Sequence, residues 1–189
     1  TEEIRHICDK SNLKLVSLLK KNLILTGMMG AGKSTIGKKL SKNLKLKFVD
    51  IDEVIEKKEK KTIKEIFKNK GEDYFRKVEV KTTFEELKRS NLVVALGGGA
   101  FIDKSVRKMI LNSSISFWLD LDLKTLLSRL KNTKKRPLIT QDNLKESINK
   151  IYLERKKIYS EANFTIKCNS MDAKEIVNKI INLYDNSGN

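Results

Sequence analysis

The sequence is poor in the residues that most often carry redox, metal or histidine-based chemistry. Two cysteines, Cys8 and Cys168, occur among 189 residues, and neither stands in a CxxC or zinc-ligand spacing. His6 is the sole histidine, which argues against a histidine general base and against a histidine-rich metal centre. We therefore expect incidental thiols and an active site built from other side chains.

Proline, linker-like segments and long apolar runs are also scarce. Pro137 is the only proline, and no stretch rich in serine and glycine divides the chain. No apolar run approaches the roughly 18 residues needed to cross a bilayer, and the charges throughout residues 1–20 do not suit a signal peptide. We expect a cytoplasmic monomer with no membrane partner. It would have a loosely helical N-terminal extension (1–20) and a single domain (21–189).

Basic residues, in contrast, are abundant. The net charge of +16 is a balance that can mark a nucleic-acid binder. However, the lysines are spread through every helical segment and mixed with glutamates, and aromatic residues make up only 6%. Because no basic stripe with interleaved aromatic residues is present, lysine-rich solvated faces are the favoured interpretation. Nucleic acid is not an expected partner.

Short apolar runs alternate with longer helical patterns along the domain. Strands separated by helices predict a parallel sheet sandwiched between helices, an α/β fold of about five strands. The predicted strands are residues 23–26, 46–49, 92–96, 115–119 and 164–167, and helices are predicted near 33–44, 72–89, 104–111, 122–131, 144–160 and 172–184. Three of these strands run directly into unusual polar or glycine-rich residues, which should converge at one edge of the sheet.

The first of these features is a glycine-rich loop. Residues 27–34, GMMGAGKS, match G-x-x-x-x-G-K-[ST] between a predicted strand and a predicted helix. Glycines let the loop aim backbone N–H groups at phosphate oxygens, and the helix adds its positive N-terminus. Lys33 would reach the β- and γ-phosphates, and the Ser34 hydroxyl would bind Mg²⁺. The motif predicts an ATP-type site contacted by Gly30, Ala31, Gly32, Lys33, Ser34 and Thr35.

A missing motif and the length of the chain argue against two classes of P-loop protein. A GTPase would need Asn-Lys-x-Asp after a strand, whereas the nearest string, NKGE at 69–72, lies in helical sequence. A motor or AAA-type ATPase would normally be longer. A small kinase with an acceptor site and a mobile lid is the favoured interpretation.

Two aspartates follow the second predicted strand, in FVDIDEV at 48–54. On an extended backbone residues i and i+2 point to the same side, so Asp50 and Asp52 are predicted to face the crevice bordered by Lys33 and Ser34. Mg²⁺ takes one or two carboxylates and keeps several waters. One aspartate therefore suits the metal, and the other suits the acceptor hydroxyl, whose proton it would take. An N-cap role for Asp52 stays open as an alternative.

Five segments, in order and spacing, resemble the shikimate kinases: GMMGAGKST (27–35), FVDIDEVIE (48–56), IFKNKGEDYFRKVE (66–79), LGGGA (96–100) and KRPL (135–138). The resemblance covers about residues 22–185. The P-loop alone is widespread, whereas the combination with Asp-x-Asp, Phe-Arg, Gly-Gly-Gly and Arg-Pro-Leu is far more specific. It implies transfer of the γ-phosphoryl group of Mg-ATP to the 3-hydroxyl of shikimate, in chorismate biosynthesis.

The resemblance also implies roles for individual residues. Asp50 would serve the magnesium shell with Ser34, and Asp52 would bind the shikimate hydroxyls. Arg76 would bind the substrate carboxylate in a way that lysine cannot, and Glu79, one helical turn later, would hold Arg76 in place. Substrate contacts are further implied for Gly97, Gly98, Gly99 and Arg155, and catalytic roles for Asp52, Lys33 and Arg136. For ATP, Arg129 would lie against the adenine, and Arg136 would contact the phosphate as well as the substrate.

Two segments leave alternatives open. Residues 129–145 are polar and basic, which suits a lid that carries Arg136 over ATP; an ordinary surface loop is the alternative. The family pattern Arg-x-Pro-Leu-Tyr is matched by Arg155-Lys-Lys-Ile-Tyr159, which lacks Pro and Leu and leaves the helix geometry near Arg155 in question. Phe67 and Phe75 suit either the pocket or the core.

Two other functions compete with this one. Another small-metabolite kinase on the same scaffold, such as a gluconate or nucleoside-monophosphate kinase, would share the P-loop. The acidic pair and the two arginines favour a hydroxylated carboxylic acid instead. A nucleotide-binding regulatory or nucleic-acid-associated module is motivated only by the charge of +16, and it predicts salt-sensitive nucleic-acid binding.

Overall fold

The computed structural model describes residues 21–130 and 144–187. Five parallel strands form its sheet, in the order β2-β3-β1-β4-β5. They are β1 (Asn22–Thr26), β2 (Lys47–Asp50), β3 (Leu92–Ala95), β4 (Ser114–Asp120) and β5 (Phe164–Lys167). The predicted extension (1–20) and most of the predicted lid (131–143) lie outside the described residues, so the domain boundary and the lid stay predictions.

Seven α-helices flank the sheet in the described part of the chain. They are α1 (Lys33–Leu44), α2 (Ile51–Glu59), α3 (Ile63–Leu87), α4 (Lys104–Ser113), α5 (Leu123–Leu130), α6 (Leu144–Tyr159) and α7 (Ala173–Asp185). A short 3₁₀-helix, Ala100–Ile102, follows the three consecutive glycines. None of the helices in the described ranges is long and apolar enough to span a bilayer.

The central strands are covered on both faces. Every residue of β1 and of β3 is buried, and successive residues of a strand point to opposite faces of the sheet. Continuous apolar strands of this kind are typical of parallel sheets between two helix layers. The predicted five-stranded α/β architecture is confirmed.

The helices between β2 and β3 differ from the prediction. Asp50 caps the N-terminus of α2, a helix that was not predicted, by accepting hydrogen bonds from two backbone N–H groups. Thr62 and Glu65 form a capping box that starts α3 nine residues earlier than predicted. Gly71, with φ 79° and ψ 174°, interrupts α3 and separates this additional first part from the predicted helix.

This start of α2 corrects the geometry argued for the two aspartates. Asp50 is the last residue of β2, and Asp52 lies in the first turn of α2 rather than on an extended strand. The i, i+2 alternation of a strand therefore does not relate them. The N-cap role left open for Asp52 belongs instead to Asp50.

Candidate active site

The ends of three neighbouring strands bring the unusual residues together. Leu25 of β1 pairs with Ala95 of β3, and Ala95 pairs with Asp50 of β2. The loop that starts at Gly27, the aspartates and the glycines that start at Gly97 therefore all leave the sheet at the same edge. This is the carboxyl edge, where parallel α/β sheets bind their ligands.

The glycine-rich loop has the backbone that its glycines permit. Gly27, Gly30 and Gly32 have φ values of 131°, 79° and 91°, which L side chains rarely adopt. Lys33, the first residue of α1, is buried, and its Nζ donates to the carbonyls of Gly27 at 2.8 Å and Met28 at 3.0 Å. Ala31 is buried in the loop, and Ser34 and Thr35 follow in the exposed first turn of α1.

Ser34 and Asp50 meet directly beside this loop. The Ser34 hydroxyl donates to Asp50 Oδ2 at 2.5 Å, while Asp50 Oδ1 caps α2. A hydroxyl and a carboxylate are hard oxygen donors, and Mg²⁺ in nucleotide sites needs only one or two of them because waters and phosphates complete its shell. The described residues hold no cluster of three or more His, Cys, Asp or Glu side chains that could bind a metal. This donor set fits a phosphate-bound Mg²⁺.

A second cleft adjoins the phosphate loop, and we call it the acceptor pocket. It combines two carboxylates, two guanidinium groups and an apolar wall in a space of about 380 Å³ that is open to solvent. Phe67 and Phe75 form part of the wall, with ring centroids 4.8 Å apart, so both belong to the pocket. The lining residues are Met29, Asp52, Ile63, Phe67, Phe75, Arg76, Glu79, Gly98, Gly99 and Arg155.

Arg76 is fixed in the pocket by two carboxylates of its own helix. Its Nη1 lies 2.6 Å from Glu79 Oε2, and its Nη2 lies 2.9 Å from Glu72 Oε1. Glu79 is only 1% exposed, and burial raises the pKa of its carboxyl, although Arg76 opposes this effect. Arg76 therefore has little freedom to turn away from the pocket.

Gly97 and Gly99 leave room for these charged side chains. A Cβ on Gly97 would overlap Glu79 Oε1 and approach Asp52 Oδ1, and a Cβ on Gly99 would overlap the Arg76 guanidinium. A Cβ on Gly98 would meet only ordinary contacts, 3.5 Å from the Met29 nitrogen and 3.8 Å from Arg155 Nη1. Sequence reasoning attributed all three glycines to the approach of the substrate. The structure gives two of them a further role as spacers.

We expect Gly99→Ala to raise the KM for the phosphoryl acceptor about 10- to 100-fold, because a small displacement of a positioning group can cost up to 100-fold. The melting temperature should fall as well, since the added methyl group would displace Arg76 Nη1 from its ion pair with the buried Glu79. Steady-state kinetics and thermal melts test this. Gly98→Ala is the matched comparison and should have the smaller effect on the acceptor KM; equal effects would contradict the spacer role.

Arg155 lies on α6 and lines the acceptor pocket. The departure from the family pattern had left the geometry of this helix in question. The helix runs without interruption from Leu144 to Tyr159, through the residues that replace Pro and Leu. Arg155 Nη1 and the Tyr159 hydroxyl both donate to the Gly98 carbonyl, at 2.8 Å and 2.5 Å. A helical path at this point is thus compatible with Arg155 lining the pocket.

Of the two arginines predicted to contact ATP, only Arg129 lies in the part of the chain that the structure describes. Arg129, near the end of α5, donates from Nη1 to the Gly30 carbonyl at 3.3 Å, so it lies against the phosphate loop. Arg136 lies outside the described residues, and its role stays a prediction.

Comparison with known proteins assigns the family. The sequence model of the family described as "Shikimate kinase" matches residues 29–185. The chain belongs to the shikimate kinase family. The shikimate kinase of Persephonella marina is 43% identical over 162 residues, covering 85% of this chain and 97% of the relative. The shikimate kinase of Bartonella henselae is 40% identical over 170 residues, covering 90% of this chain and 81% of the relative.

Solved structures of the shikimate kinase family also match the fold. A shikimate kinase from Acinetobacter baumannii in complex with shikimate has a TM-score of 0.86 and 34% identity, covering 92% of this chain and 98% of that one. A deoxyadenosine kinase from M. mycoides, with a TM-score of 0.57 and 18% identity, shares the fold alone. The predicted P-loop kinase type of fold and the predicted family are confirmed.

Sequence reasoning missed some residues of the pocket in this shikimate kinase family member. Met29 and Ile63 line it, but neither was singled out. Met29 occupies one of the variable positions of the P-loop pattern, and Ile63 lies in the unpredicted first turn of α3. The Thr62 capping box was the signal that could have placed Ile63 at a helix start.

Proposed function

We propose that this chain transfers the γ-phosphoryl group of ATP to the 3-hydroxyl of shikimate, giving shikimate 3-phosphate and ADP. The observation that carries the proposal is the acceptor pocket, where Arg76, Arg155 and Asp52 meet beside the phosphate loop. A hydroxylated carboxylic acid has the two groups that such a pocket would bind. The identity to shikimate kinases over most of the chain supports the same substrate.

The acceptor would be held at both of its polar ends. Arg76 and Arg155 would bind the carboxylate, with Arg76 kept in place by Glu79 and Glu72. Planar guanidinium groups bind carboxylates bidentately, which fixes the orientation of the ring. Asp52, in the first turn of α2, would accept a hydrogen bond from the reacting hydroxyl and take its proton.

The phosphates would lie on the glycine-rich loop. Backbone N–H groups of residues 30–35 and the N-terminus of α1 would bind their oxygens. Lys33 Nζ, which the carbonyls of Gly27 and Met28 hold at the loop, would neutralise charge on the transferred group, together with Arg136. Arg129 would lie against the adenine. In the reaction the acceptor oxygen bonds to the γ-phosphorus, the bond to the β–γ bridging oxygen breaks, and ADP leaves with those electrons.

Mg²⁺ is proposed as the metal of the nucleotide, held by Ser34 Oγ and Asp50. It would supply positive charge that neutralises the β- and γ-phosphate oxygens. Asp50 is suited to this place because its second oxygen is anchored by the α2 backbone. A cytoplasmic monomer remains the expectation for the protein as a whole.

An acceptor screen tests the function. ADP release from Mg-ATP is followed in a coupled assay with shikimate, gluconate, AMP or no acceptor. Release that depends on shikimate, with little release in the other three, supports the proposal. Release with gluconate or AMP instead would retain the kinase and reject the substrate. ATP binding without release for any acceptor would reject the kinase activity.

A further inference from the structure

The Gly98 carbonyl is held by two residues of α6. Arg155 Nη1 donates to it at 2.8 Å, and the Tyr159 hydroxyl donates at 2.5 Å from one helical turn later. Tyr159 is 1% exposed, so its hydroxyl is sealed from solvent. A carbonyl oxygen has two lone pairs, which allows both donors to bind at once.

These two hydrogen bonds hold the Gly98 carbonyl, while backbone hydrogen bonds hold its neighbours: Ala100 N–H donates to the Gly97 carbonyl and Ile102 N–H donates to the Gly99 carbonyl. Gly98 has no side chain, and an added Cβ there would meet nothing closer than 3.5 Å. A trans peptide is planar, so a fixed Gly98 carbonyl also fixes the N–H of Gly99 on the opposite side of the same peptide. Both glycines line the acceptor pocket.

We propose that Tyr159 is a positioning residue for the phosphoryl acceptor: by holding the Gly98 carbonyl, its hydroxyl sets the Gly98–Gly99 backbone and the point on which the Arg155 guanidinium rests. This inference rests on the proposed function, in which Arg155 binds the carboxylate of the acceptor. Without the hydroxyl, the carbonyl keeps a single donor, and Arg155 loses a fixed anchor. The loss should fall on acceptor binding.

The surroundings of Tyr159 keep its hydroxyl a donor and its ring in place. Burial raises the pKa of Tyr159, so the proton is retained over the range in which enzymes are assayed. The ring packs against Trp118, with centroids 6.0 Å apart. Tyr159→Phe therefore removes one hydrogen bond and preserves the apolar packing.

The chain offers a matched control in Tyr184. This residue is also fully buried, and its hydroxyl also donates to a backbone carbonyl at 2.5 Å, that of Lys21. Lys21 precedes β1, at the end of the sheet opposite to the active site. Tyr184→Phe thus removes the same kind of hydrogen bond away from the pocket.

The test compares the kinetics of the wild type, Tyr159→Phe and Tyr184→Phe. Tyr159→Phe should raise the KM for shikimate about tenfold, as expected for one buried hydrogen bond. The KM for ATP should stay the same, and kcat should change less than about twofold, since phosphate groups are bound elsewhere. Tyr184→Phe should match the wild type in all three values. Equal shikimate KM values for the two variants would overturn the inference, as would a parallel rise in the KM for ATP.

A double variant tests the route through Arg155. If Tyr159 acts by anchoring Arg155, adding Tyr159→Phe to Arg155→Ala should raise the KM by clearly less than the tenfold seen in the wild-type background. Losses that multiply in full would overturn that route. Binding of shikimate to each variant is measured independently by titration calorimetry.

The failures of the two proposals can be told apart. Wild-type turnover in the acceptor screen decides the substrate, without reference to Tyr159. If the wild type phosphorylates a different carboxylic acid, the same variants are compared with that acceptor, and the KM ratio between Tyr159→Phe and Tyr184→Phe still decides the inference.

Discussion

Asp52→Asn should lower kcat about 100-fold or more, the range expected when a positioned general base is removed. Asparagine has nearly the same volume, so the contact beside Gly97 is kept. It carries no negative charge and cannot take the proton of the acceptor hydroxyl. The dissociation constant for ATP should remain within about twofold, because the phosphate loop and Asp50 are untouched. Steady-state kinetics and an ATP titration provide the measurements.

Glu53→Gln is the matched control for this variant. Glu53 is the next residue in the same turn of α2, but it is exposed and pairs with Lys38 on the surface. An exposed ion pair contributes little to stability, so this variant should retain wild-type kinetics. If Asp52→Asn kept its turnover, or if both variants lost it equally, Asp52 would not be the base.

Arg76→Ala should raise the KM for shikimate about 100-fold, because the shikimate carboxylate would lose a charged, bidentate partner in a partly buried pocket. The KM for ATP should be unchanged. Stability should fall as well, by up to about 3 kcal/mol, since Glu79 would be left buried without its cation. Kinetics and thermal melts are therefore measured together.

A second substitution separates binding from folding. In Arg76→Ala combined with Glu79→Gln no unpaired buried charge remains, so the melting temperature should recover while the shikimate KM stays high. Arg89→Ala is the control, because Arg89 also forms an ion pair with a glutamate three residues away, Glu86. This pair lies near Asn22, at the end of β1 away from the pocket. Recovery of the KM together with stability would show that Arg76 acts only as a structural partner of Glu79.

The aspartates show how far sequence reasoning reached into the site. It placed Asp50 and Asp52 at the phosphate loop, and the structure brings both there. The reason given was wrong, because α2 begins at Ile51 and no strand continues to Asp52. Asp50 meets Ser34, whereas Asp52 lines the acceptor pocket. The change from strand to helix at Ile51 therefore places the two carboxylates in different parts of the site.

The glycines after β3 show a similar limit. A run of three glycines after a strand indicated a site, and the run does lie in one. Which of the three must lack a side chain depends on Glu79, Asp52 and Arg76, which lie 18 to 45 residues earlier in the chain. Spacing within the motif carries no information about such distant neighbours.

By itself the sequence determined the phosphate loop, the parallel sheet and the family, because glycine patterns, apolar periodicity and motif order are properties of adjacent residues. The tertiary structure alone decided that Asp50 meets Ser34 while Asp52 lines the acceptor pocket, why Gly97 and Gly99 lack side chains, and that Tyr159 reaches Gly98 across 61 residues. These contacts arise only when strands and helices pack, since packing, and not position in the chain, brings distant groups within hydrogen-bonding distance.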